Sequence, residues 1–355
     1  MHRIKIDFIK NGMIAAKNIY TSDGKLLITA GVELKEIYIH RLKELGIGEI
    51  YIHAEETADV IIEDIIREQN RLEAKKLVQK VMEDLRLGKS IDTLEIYQQV
   101  TSIIDDLLRK KDIMVHLCDI RAADDYTFAH SVNVCVLSIL AGISLGYDDR
   151  KLQQLGVGAL LHDIGKMWIS LYILNKPDLL NDEEFNEIKR HAEIGYEMLR
   201  RIPEMEGDAI VVALTHHERY NGSGYPFGKK GEDIHEYARI VAIADVYDAL
   251  TSDRVYKKKI LPHQAMTYVI STAGNLFDPQ MVKHFVKHIA AYPVGYLVSL
   301  NTGEKGIVVD ANHHFPTRPR VRILYDAKGK KLMNRKEIDL TQHPSLVITD
   351  VLEKL

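Results

Sequence analysis

Apolar and polar positions change rhythm several times along the chain. RIKIDFI, residues 3–9, alternates with the two-residue period of a strand; SDGK reads as a turn and LLITAG as a second strand. ELKEIYIHRLKELG repeats apolar residues at helical spacing as far as Gly46, and EIYIH then resumes the extended pattern. Residues 1–56 are therefore expected to form a small α/β unit. Residues 57–112 read as a helical connector broken at LGKSIDT. Ile61, Ile62, Ile65, Ile66, Leu72, Leu77, Val78, Val81 and Leu85 make an apolar stripe on its first helix. Gly88 is its expected stop, and Asp92 or Thr93 the cap of the next. The stripe is too irregular for a coiled coil and is read as core or as the seam of a homodimer.

Helical patterns with short turns continue from 113 to 290. All nine prolines lie from Pro177 onward, so the first half is free of that helix breaker. After AAYPVG the texture changes. GYLVSL, GIVVDA, RVRILYD, KEIDL and SLVITDVL alternate with NTGEK, ANHHFPTR and DAKGKK, which predicts a small, five-stranded, barrel-like β unit over 291–355. His313 and His314 fall in one of its loops and are not read as a metal site. The expected fold class is mainly α, a helical bundle at 113–290 carrying an α/β unit before it and a β unit after it.

Residues 127–147, TFAHSVNVCVLSILAGISLGY, carry no Asp, Glu, Lys or Arg. His130, Asn133 and three serines are costly in hydrocarbon, so the stretch is read as a buried helix and no membrane insertion is expected. The opening MHRIKIDFIKNG lacks the apolar core of a secretory signal, and a cytoplasmic location is expected. Composition adds limits. The formal net charge of −4 leaves no electrostatic footprint for DNA or RNA, so an anionic substrate must be drawn by local charge. Cys118 and Cys135 sit in apolar sequence and read as buried free thiols.

Chemistry-bearing residues concentrate in the bundle. QLGVGALLHDIGK brings an apolar helical run to His162-Asp163, a neutral imidazole beside a carboxylate, both good ligands for a divalent ion. Lys166 follows three residues after Asp163 and shares its face if the helix continues. His130 lies on the uncharged helix, His191 in EEFNEIKRHAEIGYEML, His216 and His217 after AIVVALT, and Asp245 within ARIVAIADVYDAL. A buried Asp245 demands a cationic partner. Seven N and O donors on five expected helices are too many for one ion and enough for two, as helical bundles with dinuclear sites show.

His130, His162-Asp163 and Asp245, taken with HDIGK, HHERYNGSGYP and ADVYDALTSDRVYK, resemble the HD-GYP branch of the HD phosphohydrolase superfamily, bacterial cyclic di-GMP phosphodiesterases. The resemblance covers roughly residues 118–290, and implies an HD-type helical bundle. It implies that His130, His162, Asp163 and Asp245 hold one metal, with Asp163 bridging to a second completed by His191, His216 and His217. It further implies that Lys166 contacts the scissile phosphate, that Arg254 and Lys257 meet the dinucleotide, and that the metals are iron or manganese. RVYK stands where RPYK is usual. Some relatives place a Glu four residues before the first His to support a third metal. Tyr126 stands there in this chain, with Asp125 one residue further off, so two metals are expected.

Two cations can activate water and neutralise the charge of a phosphodiester, which otherwise resists attack. Gly222 and Gly224 make the GSGYP segment a pliable lip after the paired histidines. Tyr225 can pack beneath it, stack on a guanine or face a partner, for which the family suggests GGDEF-domain proteins. The leading reading is hydrolysis of cyclic di-GMP to pGpG and onward to GMP. The alternatives are hydrolysis of 3′,3′-cyclic GMP-AMP and a non-catalytic cyclic-dinucleotide sensor.

Overall fold

The computed structural model describes residues 1–21, 25–54, 57–109, 126–176, 178–252 and 259–353, except the side chains of 126, 333 and 335. Cys118, Asp125, Arg254 and Lys257 lie outside those residues, as does the side chain of Tyr126, and with them the third-metal position and the basic pair. The chain forms two compact units. Among the described residues, one contains those of 1–64 and 289–353, and the other those of 65–109 and 127–288.

In the first unit the N-terminal segment forms β1 (His2–Lys5), β2 (Ile14–Ala15), β3 (Ile19–Tyr20), β4 (Leu26–Ile28), α1 (Glu36–Glu44) and β5 (Glu49–His53). β1, β5 and β2 make one antiparallel sheet in that order, with His2 opposite Ile52 and Lys5 opposite Glu49, and β3 and β4 pair separately. RIKIDFI is not one strand. After Lys5 the backbone tightens into a 3-10 turn at Ile6–Phe8, and Ile4, Ile6 and Ile9 all remain buried. The alternation reported which side chains are inside, and a turn keeps that pattern as well as a strand does. Ile19, Leu34, Leu42, Ile47 and Ile50 fill the centre of this core.

The C-terminal segment of the same unit contributes β6 (Leu297–Leu300), β7 (Lys305–Asp310), β8 (Arg320–Tyr325), β9 (Lys331–Asp339) and β10 (Ile348–Leu352). They pair antiparallel in the order β10-β6-β7-β8-β9. The expected five strands are present, and β9 begins earlier than KEIDL, within the segment read as a separator. Arg322 on β8 is 5% exposed. Its guanidinium forks onto both oxygens of Asp59 at 2.7 Å and onto Glu337 at 2.6 Å, which satisfies a buried cation with charge-assisted bonds.

The second unit is helical: α2 (Glu68–Arg86), α3 (Thr93–Leu108), α4 (Tyr126–Leu145), α5 (Asp149–Leu161), α6 (Leu171–Leu174), α7 (Asp182–Leu199), α8 (Gly207–Thr215), α9 (Glu236–Thr251), α10 (Pro262–Ser271) and α11 (Pro279–Val286). α2 starts later than the stripe suggested. Ile61, Ile62, Ile65 and Ile66 precede it, and burial of the last three in an irregular lead-in, not helical periodicity, explains their apolar character. Ala74, Leu77, Val78, Val81 and Met82 form its buried face. Gly88 follows with φ +67°, and Asp92 caps α3 by accepting from Glu95 N. α7 opens with a capping box, Asn181 and Glu184 each satisfying the other's backbone N–H.

Two glycines let α5 approach its neighbours closely. A Cβ at Gly156 would lie 2.5 Å from Val100 Cγ1 on α3, and one at Gly158 would lie 2.8 Å from Ala209 O on α8. α8 also packs on α7 and α9, and α9 on α10 and α11. α9 is apolar on nearly every side, as a central helix must be. α4 is long and apolar enough to cross a bilayer, yet most of that stretch is buried inside the protein.

Candidate metal centre

Each of the seven donors occupies a position fixed by a helix or its end. His130 is on α4, His191 on α7 and Asp245 on α9, whereas His162 caps the C-terminus of α5 and His216 that of α8. α5 does not continue through HDIGK. It stops at Leu161, and Ile164–Trp168 form a 3-10 turn. The tighter turn still brings Lys166 back, with its ammonium 2.5 Å from Asp163 Oδ2. Gly165 makes the turn possible. A Cβ there would lie 2.0 Å from His191 O and 2.7 Å from Gly195 N, so the turn rests directly on the α7 backbone and sets His191 beside Asp163.

Six of the seven donors are buried and His217 is partly exposed. The donors fall into two groups whose ligand atoms all lie within 4.8 Å of one another. One holds His130, His162 and Asp245, and the other Asp163, His191, His216 and His217. Asp163 divides its oxygens between them. Oδ2 faces His162 Nε2 at 3.2 Å and His130 Nε2 at 3.7 Å, while Oδ1 faces His191 Nε2 at 3.5 Å and His216 Nε2 at 3.8 Å. His130 Nε2 is 3.1 Å from Asp245 Oδ1, and His217 Nδ1 is 3.8 Å from Asp245 Oδ2. Two ligands about 2.1 Å from one ion and at right angles to each other lie about 3 Å apart, so these separations suit edges of coordination shells.

The imidazoles are oriented by their far nitrogens. Nδ1 of His162 faces Ala159 O at 2.7 Å, that of His191 faces Ile188 O at 2.6 Å, and that of His216 faces Val212 O at 3.0 Å. Each donates there, which leaves Nε2 with its lone pair turned inward. Among the described residues, His162 Nε2 and Asp163 Oδ1 are buried with no hydrogen-bond partner, an arrangement that costs about 1–3 kcal/mol per group unless a ligand compensates it. The protonation of His191, His216 and His217 agrees. Burial holds His191 down to about 4, and burial with the neighbouring imidazoles holds His216 and His217 well below the ordinary histidine value. Burial works against ionising Asp163, but His162 and Lys166 outweigh it and hold the carboxyl well below its usual range. Asp245 is likewise held low against its burial, chiefly by His130. Neutral imidazoles and ionised carboxylates are the metal-binding forms, so the residues fit divalent metals. A mixed N/O set suits Mn, Fe, Co, Ni or Zn.

The lip after the paired histidines is held by a residue the sequence reading passed over. Glu218 is buried, and its carboxylate accepts from Phe227 N at 2.8 Å and Lys229 N at 3.0 Å. Gly224 is required because a Cβ there would lie 2.4 Å from both Arg219 N and His217 O. Tyr225 stacks on His217, with centroids 4.7 Å apart, and meets Phe185 edge-on at 6.5 Å. Of its three open roles, packing beneath the lip is therefore present.

Asp248 and Asn133 were also passed over. Asp248 Oδ2 lies 2.7 Å from His130 Nδ1, and Asn133 Nδ2 donates to Asp248 Oδ1 at 2.6 Å. The signal was present: Asn133 is three residues after His130, and Asp248 three after Asp245, the spacing that puts both members of each pair on one helix face. Burial lowers the His130 pKa, but Asp245 and Asp248 together raise it above the ordinary value.

Residues 124–281 match the HD domain family, and residues 297–354 match the KOW domain associated with HD domain. The cyclic di-GMP phosphodiesterase PA4108 of Pseudomonas aeruginosa is 39% identical over 285 residues, which cover 80% of this chain and 69% of that protein. The cyclic di-GMP phosphodiesterase response regulator RpfG of Xanthomonas campestris pv. campestris is 43% identical over 153 residues, 41% of this chain and 40% of that protein. A 3′3′-cGAMP-specific phosphodiesterase 2 of Vibrio cholerae is 31% identical over 194 residues, 54% of this chain and 37% of that protein. The chain thus spans about two fifths of the length of the last two relatives.

Proposed function

The chain belongs to the HD-GYP family of HD-domain cyclic di-GMP phosphodiesterases, and from that premise we propose that it hydrolyses cyclic di-GMP to pGpG, and onward to GMP, with two divalent ions, iron or manganese. The observation that carries the reading is the division of the Asp163 oxygens between two groups of inward-facing donors. In this reading His130, His162, Asp163 and Asp245 hold one ion, and Asp163, His191, His216 and His217 the other. The ions supply Lewis acidity, lowering the pKa of a water and offsetting phosphate charge.

The protein's own groups supply position and field. Five neutral imidazoles and two carboxylates leave a loaded centre net positive, which favours a phosphodiester. Lys166 stands at the edge of the centre, with a side chain 27% exposed, and is assigned the scissile phosphate. Arg254 and Lys257 are assigned the rest of the dinucleotide by resemblance. Tyr225 orders the lip and can offer its edge to a base. The same site accepts 3′,3′-cyclic GMP-AMP in the second reading, which the cGAMP-specific relative of Vibrio cholerae supports. A cytoplasmic location and homodimerisation belong to the proposal. So does docking of a GGDEF-domain protein at the lip, which Phe227, 59% exposed, supports.

The test is anaerobic incubation of protein of known metal content with each cyclic dinucleotide, following products by chromatography. Rapid pGpG formation with about two metals per chain supports the proposal. Preferential cleavage of cyclic GMP-AMP replaces the substrate, and binding without cleavage in the presence of iron or manganese replaces the enzyme with a sensor.

A further inference from the structure

Helix α2 reaches the metal centre although it lies outside residues 124–281, which match the HD domain. Arg71 on α2 donates from Nη1 to Asn133 Oδ1 at 3.1 Å. Asn133 donates from Nδ2 to Asp248 Oδ1 at 2.6 Å, and Asp248 Oδ2 lies 2.7 Å from His130 Nδ1. Asn133, Asp248 and His130 are at most 1% exposed, and the Arg71 side chain is 14% exposed.

The chemistry of the four groups gives this chain one direction. A guanidinium only donates and a carboxylate only accepts, so an amide between them has one satisfied orientation: oxygen toward Arg71 and NH2 toward Asp248. Asp248, held on one oxygen, offers the other to His130 Nδ1–H. In the neutral, metal-binding form of the ring this leaves Nε2 free of hydrogen, and Nε2 is the atom facing Asp245 and Asp163. Without Arg71 the buried amide oxygen of Asn133 loses its donor, and the reversed amide would set its oxygen against Asp248.

We propose that Arg71 is a positioning residue for the metal centre, acting through Asn133 and Asp248 to fix the tautomer and tilt of His130. The inference rests on the metal reading above. It gives α2, in the segment before the HD domain, a physical route to one of the two metal sites.

The test is competitive Mn2+ titration of the full chain against a chelator, resolving two stepwise affinities, on wild type, Arg71→Met, Arg71→Lys and Arg86→Met. Arg86 is exposed on the same helix and serves as control. Loss of the contact is expected to weaken one site about 10-fold, the low end for outer-shell partners of ligating histidines, and to leave the other unchanged. Arg71→Lys, which keeps a donor-only cation, should restore most of the loss. Wild-type affinities in Arg71→Met, or equal weakening of both sites with a fall in Tm and no rescue by Lys, would overturn the inference. If Arg71→Met does not fold, Arg71→Gln takes its place under the same criteria. Wild type that binds no Mn2+ or Fe2+ would sink the metal reading, whereas two intact sites in every variant would sink this inference alone.

Discussion

Gly165→Ala places one methyl group where two backbones meet. The added Cβ would start 2.0 Å from His191 O and 2.7 Å from Gly195 N. Neither atom can rotate away, because both belong to the backbone of α7. Relief therefore requires the HDIGK turn and α7 to separate by about 1 Å, which brings the oxygen contact to a tolerable distance and costs about 1–3 kcal/mol as overpacking. That separation pulls His191 away from Asp163 Oδ1, now 3.5 Å from Nε2. A displacement of about 1 Å in a catalytic constellation can cost on the order of 100-fold in rate. The expected outcome is metal content falling from about two to about one per chain, with kcat/KM down about 100-fold or more and a folded protein of lower Tm. Metal analysis, turnover and thermal melts on the same preparation check it. Gly207→Ala is the control, since a Cβ there meets no atom of the described residues within 4 Å. If Gly165→Ala kept two metals and wild-type turnover, the argument that this contact sets His191 would be refuted.

Other outcomes follow from the same geometry. Asp163→Ala removes the group that faces both donor sets and should lose metal from both; two retained metals with full activity would show the assignment wrong. Lys166→Ala should slow turnover while metal content stays at wild type, and lost metal would make Lys166 a structural residue. Glu218→Ala leaves two backbone N–H groups of the lip without their acceptor and should cost about 1–3 kcal/mol for each that stays shielded from water in a denaturant melt, with KM raised more than kcat is lowered. In metal-free protein, His191 titrates near 4 instead of 6.5, so the unfolded chain binds more protons between those values. Stability from this group is complete above about pH 6.5 and is lost as pH falls toward 4. His216 and His217 act in the same direction and His130 in the opposite one, so the Tm of metal-free protein should fall on acidification through that window. A Tm that rose instead would contradict the burial of these imidazoles as neutral groups.

Local sequence alone determined much of this protein. Donor identities, the helices that carry them and the β unit after AAYPVG were legible because period, caps and glycine stops are local properties. Gly46, Gly88 and Asp92 mark ends that the backbone does adopt. The type of chemistry was legible because histidines and aspartates on apolar helices need partners once buried. Local pattern failed where burial and secondary structure part company. Ile62, Ile65 and Ile66 are apolar because they are buried in an irregular lead-in, not because it is helical, while Ile61 is exposed; RIKIDFI hides a 3-10 turn because both conformations keep its isoleucines inside.

Only the tertiary structure decided how the donors divide. Which oxygen of Asp163 faces which histidine depends on α4, α5, α7, α8 and α9 meeting at one point, and contacts between residues on separate helices leave no mark in a local window. The same holds for Gly165, whose need appears only when α7 lies against it, and for Glu218, whose partners are N–H groups a loop away. Arg71 shows the limit most plainly. Its place on α2 reads as an ordinary charged position, and its link to His130 exists only because an amide on α4 and a carboxylate on α9 come together within the same core.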